Sequence, residues 1–211
     1  MYTEYCNYNR SIDSYEEEIK SIYRAVDLGV DGVATQVHLI REIKEYMPKH
    51  ILLSSPIDYP MGMSSSKTRE VAALTAIKSG VSAIDYVPNQ YYLKSKFTDL
   101  KKEVGTILRM CKDYDVVMRV FIDSGNISTP IIISRILFDM GVTHIFTSLG
   151  YHKDNFYDSL INAKKIQTQT EMSVIFSGHI WLEDQLQTVI QTDLFGIRLH
   201  NLKIWCNSLK D

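Results

Sequence analysis

Only three cysteines occur in the 211 residues, Cys6, Cys111 and Cys206, far apart and without CxxC spacing. That odd, scattered set argues against a disulfide framework and suits a reducing compartment. No apolar run approaches the ~18 residues needed to cross a bilayer. The opening "MYTEYCNYNR" has tyrosines and an acid where a secretion signal needs basic residues and then an apolar stretch. Neither sign of charge dominates: 23 Lys+Arg stand against 25 Asp+Glu, a formal net charge of -2, with no basic run and no acidic tail. Nucleic acid and membrane are therefore not expected as partners, and the cytoplasm is the expected location. Signatures of the GxGxxG, GxSxG, HExxH and phosphate-loop kinds are all missing, which removes the dinucleotide, hydrolase-elbow, zinc-protease and nucleoside-triphosphate readings.

What remains is an ordinary globular composition, 45% hydrophobic and 23% charged, able to bury a full core. Its organisation lies in rhythm. "SYEEEIKSIYRAVDLG" opens on Ser14 with Glu17 three residues later, a capping box, and closes on Gly29, so it predicts a helix. From there short apolar runs alternate with helical periods. The predicted strands are "VDGVAT", "HILLSS", "VSAIDYVP", "VVMRVFID", "VTHIFTS", "MSVIFS" and "LFGIRL", and "YTEYCNY" makes an eighth. One long charged helix is expected from about Thr98 to Tyr114. Strands apolar on both faces and separated by helices pair in parallel through helical crossovers. Eight such units predict a closed (β/α)8 barrel of the TIM type, an α/β fold in one domain over residues 1–211, with a doubly wound open sheet as the alternative.

In such a barrel the chemistry gathers at the C-terminal ends of the strands. Asp85, flanked by Ile84 and Val87, is a carboxylate in an apolar strand; it is either the partner of Arg119 in a structural ion pair or a catalytic or ligand-binding acid. The turns "TSLG" (Thr147, Ser148 and Gly150) and "SGH" (Ser177, Gly178 and His179) supply small residues and hydroxyls ahead of helices, a chemistry suited to phosphate or carboxylate, although plain helix capping uses the same residues. Arg198 on the eighth strand is either a cation for that anion or an exposed charge. His152, His179 and His200 follow three successive strands, but no ligand spacing supports a metal. Neither metal nor cofactor is expected.

Read in order, the strand ends resemble deoxyribose-phosphate aldolase. "YPMG" matches that family's FPxG turn, "IDYVPN" its IDxVxN block and "MRVFIDS" its VKVIIET strand. "GVTHIFTSLGY" answers GADFVKTSTGF, and "MSVIFSGHIW" answers VGVKASGGIR. The resemblance runs from about Gly29 to His200. It implies a (β/α)8 barrel and, in the family, a class I aldolase joining acetaldehyde to glyceraldehyde 3-phosphate through a lysine Schiff base. It places the Schiff-base lysine at Phe146 and a second lysine at Ile175, keeps the acid as Asp85, and sets Arg119 and Asp123 where a further lysine and a glutamate belong. Neither Phe146 nor Ile175 can form an imine. The implied phosphate turns are kept at Thr147, Ser148, Gly150, Ser177 and Gly178, with His179 replacing a glycine.

The expectation is an aldolase-like barrel binding a small phosphorylated or anionic metabolite without imine chemistry. An active lyase using a displaced lysine (Lys94, Lys96, Lys153 or Lys203) or acid–base chemistry by Asp85 is one alternative. A scaffold whose mouth is closed by Phe146, Phe176 and Trp181 is another. A homo-oligomer is left open.

Overall fold

A computed structural model describes residues 1–8, 14–150, 155–178 and 180–208. The strands are β1 (Tyr2–Cys6), β2 (Gly32–Ala34), β3 (Leu52–Ile57), β4 (Ala83–Tyr86), β5 (Val117–Phe121), β6 (His144–Phe146), β7 (Ser173–Phe176) and β8 (Gly196–Leu199). Around them run α1 (Tyr15–Asp27), α2 (Val37–Ile43), α3 (Ser66–Ser79), α4 (Gln90–Ser95), α5 (Phe97–Asp113), α6 (Pro130–Met140), α7 (Phe156–Gln169), α8 (Glu183–Ile190) and α9 (Leu202–Ser208). Every strand pairs in parallel with its neighbours in chain order, and β1 closes the barrel on β8 with Tyr2 opposite Gly196 and Tyr5 opposite Leu199. This is the predicted closed barrel; the open-sheet alternative falls.

Local chemistry explains the boundaries. Ser14 caps α1, its hydroxyl accepting from the Glu17 N–H, and Glu16, Glu17 and Glu18 face the positive end of the helix dipole while Arg24 sits at the other. Gly80 and Gly141 end α3 and α6 in the left-handed conformation that a helix-terminating glycine adopts. One helix departs from expectation. The connection after β4 carries the separate short α4, started by Asn89, whose side chain accepts from the Tyr91 N–H at 2.9 Å. Six residues are too few for an apolar period to stand out in sequence.

Strand alternation splits the core in two. Ile145, Val174, Phe176 and Ile197 face the helices and join the larger apolar layer, which includes Ile22, Ile40, Leu53, Val104 and Leu186. Inside the barrel, towards the C-terminal ends of the strands, Val87, Phe121, Phe146, Leu149 and Ile175 form a second cluster, with Tyr2 and Tyr59 packed against it. Full burial of each such side chain contributes roughly 1.5–3 kcal/mol.

Candidate functional site

Beneath the inner apolar cluster lies a group of four buried charges. Glu4 from β1, Asp85 from β4, Arg119 from β5 and Arg198 from β8 are each no more than 1% exposed. Arg119 donates from Nη2 to Glu4 Oε1 and from Nε to Asp85 Oδ1, both at 2.7 Å. Arg198 donates from Nε to Glu4 Oε2 at 2.7 Å and from Nη2 to Asp85 Oδ2. Each guanidinium thus bridges both carboxylates, and the square is neutral. Ser54 accepts from Arg119 at 2.7 Å and donates to Asp85 at 3.1 Å. Tyr2 accepts from Arg119 and donates to Glu4, and Tyr8 accepts from Arg198.

Such a group holds only while complete, because the removal of one partner strands a charge in a dry interior at a cost of ~3–5 kcal/mol. Burial alone would raise the Glu4 carboxyl, but the Arg119 and Arg198 guanidiniums outweigh it and hold it below its ordinary value. Burial likewise acts against both arginines, and the attraction of Asp85 and Glu4 prevails, so their pKa values rise and they stay charged. The Tyr2 and Tyr8 phenols are pushed up chiefly by burial, which keeps them protonated.

Phe146 is the lid on these charges. The Arg198 guanidinium lies 3.8 Å from its ring centroid and the Arg119 guanidinium 4.9 Å away, a double cation–π contact in a desolvated place. Phe121 stacks on Phe146 at 4.6 Å, and Tyr59 leans on Phe121 at 5.9 Å while donating its hydroxyl to the Leu149 carbonyl at 2.6 Å. Tyr59 thereby ties the loop after β3 to the loop after β6, across the mouth.

The two predicted anion turns meet. Ser177 Oγ accepts from the Ser148 N–H at 3.0 Å and donates to the Ser148 carbonyl at 2.6 Å, and the Gly150 N–H is taken by Ser148 Oγ at 3.0 Å. The Thr147 carbonyl accepts from the Ser124 N–H, whereas the buried Thr147 hydroxyl has no partner among the described residues. Asp123 is buried with φ 45° and accepts from Asn126 at 2.8 Å. Gly178 is fixed by packing, since a Cβ there would stand 2.7 Å from the Phe176 ring.

Some expectations change. Arg198 is no exposed charge but one of the four. Phe176 points away from the mouth into the helix layer, where its ring meets Phe156 edge-on, and Trp181 is 68% exposed. The mouth is filled instead by Phe121, Phe146, Leu149, Val87 and Tyr59. His152, Lys153 and His179 lie outside the described residues. Every described lysine, including Lys94, Lys96 and Lys203, is exposed. Among the described residues no three His, Cys, Asp or Glu side chains gather as metal ligands, and no helix is long and apolar enough to cross a membrane. Sequence reasoning missed Glu4, Ser54, Tyr2 and Tyr8. An acid at the centre of the aromatic strand "YTEYC" was the available signal for Glu4.

No family model matches the chain. It is similar to the deoxyribose-phosphate aldolase of Caldanaerobacter subterraneus subsp. tengcongensis, 30% identical over 99 residues that make up 45% of this chain and 43% of that enzyme. It is also similar to the deoxyribose-phosphate aldolase of Mycoplasmoides gallisepticum, 27% identical over 161 residues, 69% of each. The match thus spans less than half of the first enzyme and about two thirds of the second. Among solved structures, the tetrameric deoxyribose phosphate aldolase from Aeropyrum pernix superposes with a TM-score of 0.82 at 19% identity, covering 100% of this chain and 88% of that one. At that identity the likeness speaks for the fold.

Proposed function

Because the chain belongs to the deoxyribose-phosphate aldolase family, we propose that it binds a small phosphorylated sugar or similar anion at the barrel mouth without Schiff-base catalysis. The observation that carries this reading is Phe146, a ring pressed on two guanidiniums at the strand-six position where the family resemblance puts the amine. Ile175, packed beside it, stands where the second lysine would move protons. A substitute from the described lysines is disfavoured, because each is exposed to solvent and none sits in the apolar pocket that activates an amine for attack on a carbonyl. Asp85, the retained acid, is engaged by two arginines and Ser54, an arrangement that orients rather than shuttles. In this reading the anion rests on Thr147, Ser148, Gly150, Ser177, Gly178 and His179. Arg119 and Arg198, the cations proposed for that anion, are charge-balanced by Glu4 and Asp85 and covered by Phe146, so the turns carry the contact, with Asp123 as a further proposed contact. The Thr147 hydroxyl, without a partner among the described residues, supports a ligand there.

The test is reductive trapping. Borohydride added with acetaldehyde or deoxyribose 5-phosphate should leave the protein mass unchanged, whereas an adduct on one lysine would establish a displaced-lysine aldolase. A second reading, a barrel serving as scaffold, is favoured by the Ser148 and Gly150 N–H groups being already satisfied by hydroxyls. It gains if phosphorylated sugars at millimolar concentration do not raise the melting temperature. The Aeropyrum pernix protein is described as tetrameric. A homo-oligomer is proposed here on that ground, with light scattering as the measurement.

A further inference from the structure

A second concave site lies outside the barrel, between α1 and the start of α9. Glu17, Lys20, Ser21 and Arg24 line it from one helix face, and Asn201, Leu202 and Lys203 line it from the other side, around a cavity of about 260 Å³. The spacing explains the convergence: residues three and four apart on a helix stack on one face. Leu202 is a buried floor, and the three cations are exposed above it. None of Lys20, Arg24 and Lys203 has an ion-pair or hydrogen-bond partner for its side chain among the described residues, in contrast to Arg69, Arg119 and Arg198, each held by carboxylates. Glu17 is the single acid in the lining, so three positive charges face one negative charge across the cavity. Asn201 uses its carboxamide oxygen to accept from the Lys203 N–H at 3.0 Å, which leaves its NH₂ group as a further donor. The Ser21 hydroxyl is committed, accepting from Tyr5 and donating to the Glu18 carbonyl.

We infer that this cavity is a binding site for a small phosphate compound of two or more negative charges, separate from the barrel mouth. Lysines at positions 20 and 203 act as point charges, while Arg24 offers a planar fork that matches phosphate oxygens in pairs. The volume is below the ~300–1,000 Å³ of pockets that enclose drug-sized ligands, so the occupant is a pyrophosphate or a phosphorylated fragment rather than a whole dinucleotide. None of the mouth residues lines it, so the site stands or falls independently of the proposed anion turn.

Calorimetric titration with inorganic pyrophosphate at low ionic strength is the measurement, with sulfate as the arm that detects simple charge attraction. Wild type is expected to bind pyrophosphate in preference to sulfate and to weaken as salt rises to ~0.3 M. Lys20→Gln with Lys203→Gln, both at exposed positions, is expected to weaken it about tenfold or more without changing the circular dichroism spectrum. Lys164→Gln with Lys165→Gln, exposed on α7 and outside the cavity lining, is expected to leave pyrophosphate affinity unchanged. Equal affinity in the Lys20→Gln, Lys203→Gln variant, equal binding of sulfate, or an equal loss in the α7 control pair would each overturn the assignment, as would the absence of heat at millimolar pyrophosphate; a loss produced only by Thr147→Val would move the binding to the mouth and overturn it too.

Discussion

At the scale of single residues, Phe146 is held from two sides, by Phe121 in the apolar cluster and by the guanidiniums below. Phe146→Ala opens a cavity and removes both cation–π contacts, so a loss of about 3–5 kcal/mol is expected in urea denaturation. Phe146→Lys would bring a third cation against Arg119 and Arg198. The amine would be driven neutral, yet Ile175 still gives it no partner for proton transfer. That single variant is expected to be destabilised and to show no aldol cleavage of deoxyribose 5-phosphate; measurable cleavage would refute the assignment of roles. Arg119 and Asp85 were legible as a pair because they fall at matching points of adjacent predicted strands. Glu4 was not, since the value of an acid in β1 emerges only when β1 meets β8 and Arg198 arrives from the far end of the chain.

Among the elements, the turn after β6 and the turn after β7 form one unit clasped by Ser177. Ser177→Ala removes two buried hydrogen bonds to the Ser148 main chain, which should cost about 1–3 kcal/mol by thermal or chemical denaturation. Gly178→Ala should also destabilise, because the Phe176 ring cannot yield without disturbing Phe156. The strand-and-helix order was written plainly in the sequence, as runs of apolar strand residues and left-handed glycines after helices. Which way a strand faces was also encoded, but only in parity. Once Phe146 and Ile175 point inward, Phe176 must point outward, so its neighbour in sequence is a neighbour of helices in space. Trp181 was misjudged for another reason: a loop side chain carries no such parity.

For the whole molecule, the group of four links stability to pH. The Glu4 pKa is lowered on folding, so its contribution is fully present above the unfolded value of about 4.3 and is lost as pH falls through the lower folded value. His144, also lowered, by burial first and by Arg119 second, acts in the same direction: its contribution is present above about 6.5 and fades as pH falls below. The barrel is therefore expected to weaken stepwise in acid, with denaturation midpoints at pH 7, 5.5 and 4 as the check. Glu4→Gln should cost ~3–5 kcal/mol at pH 7 by leaving excess positive charge buried, and the difference from wild type should shrink towards low pH.

The partners Glu4 and Arg198 are 194 positions apart in the chain. During synthesis the amino-terminal strand emerges long before the eighth, and until then Glu4, Asp85 and Arg119 make an odd number of charges with no stable dry arrangement. Barrel closure, a contact of high sequence separation, is thus expected to be a late event, with the interior hydrated until the final strand docks. In pulse-labelling hydrogen exchange, amides at the β1–β8 seam should gain protection last, and a nascent chain halted before residue 196 should remain open to proteases.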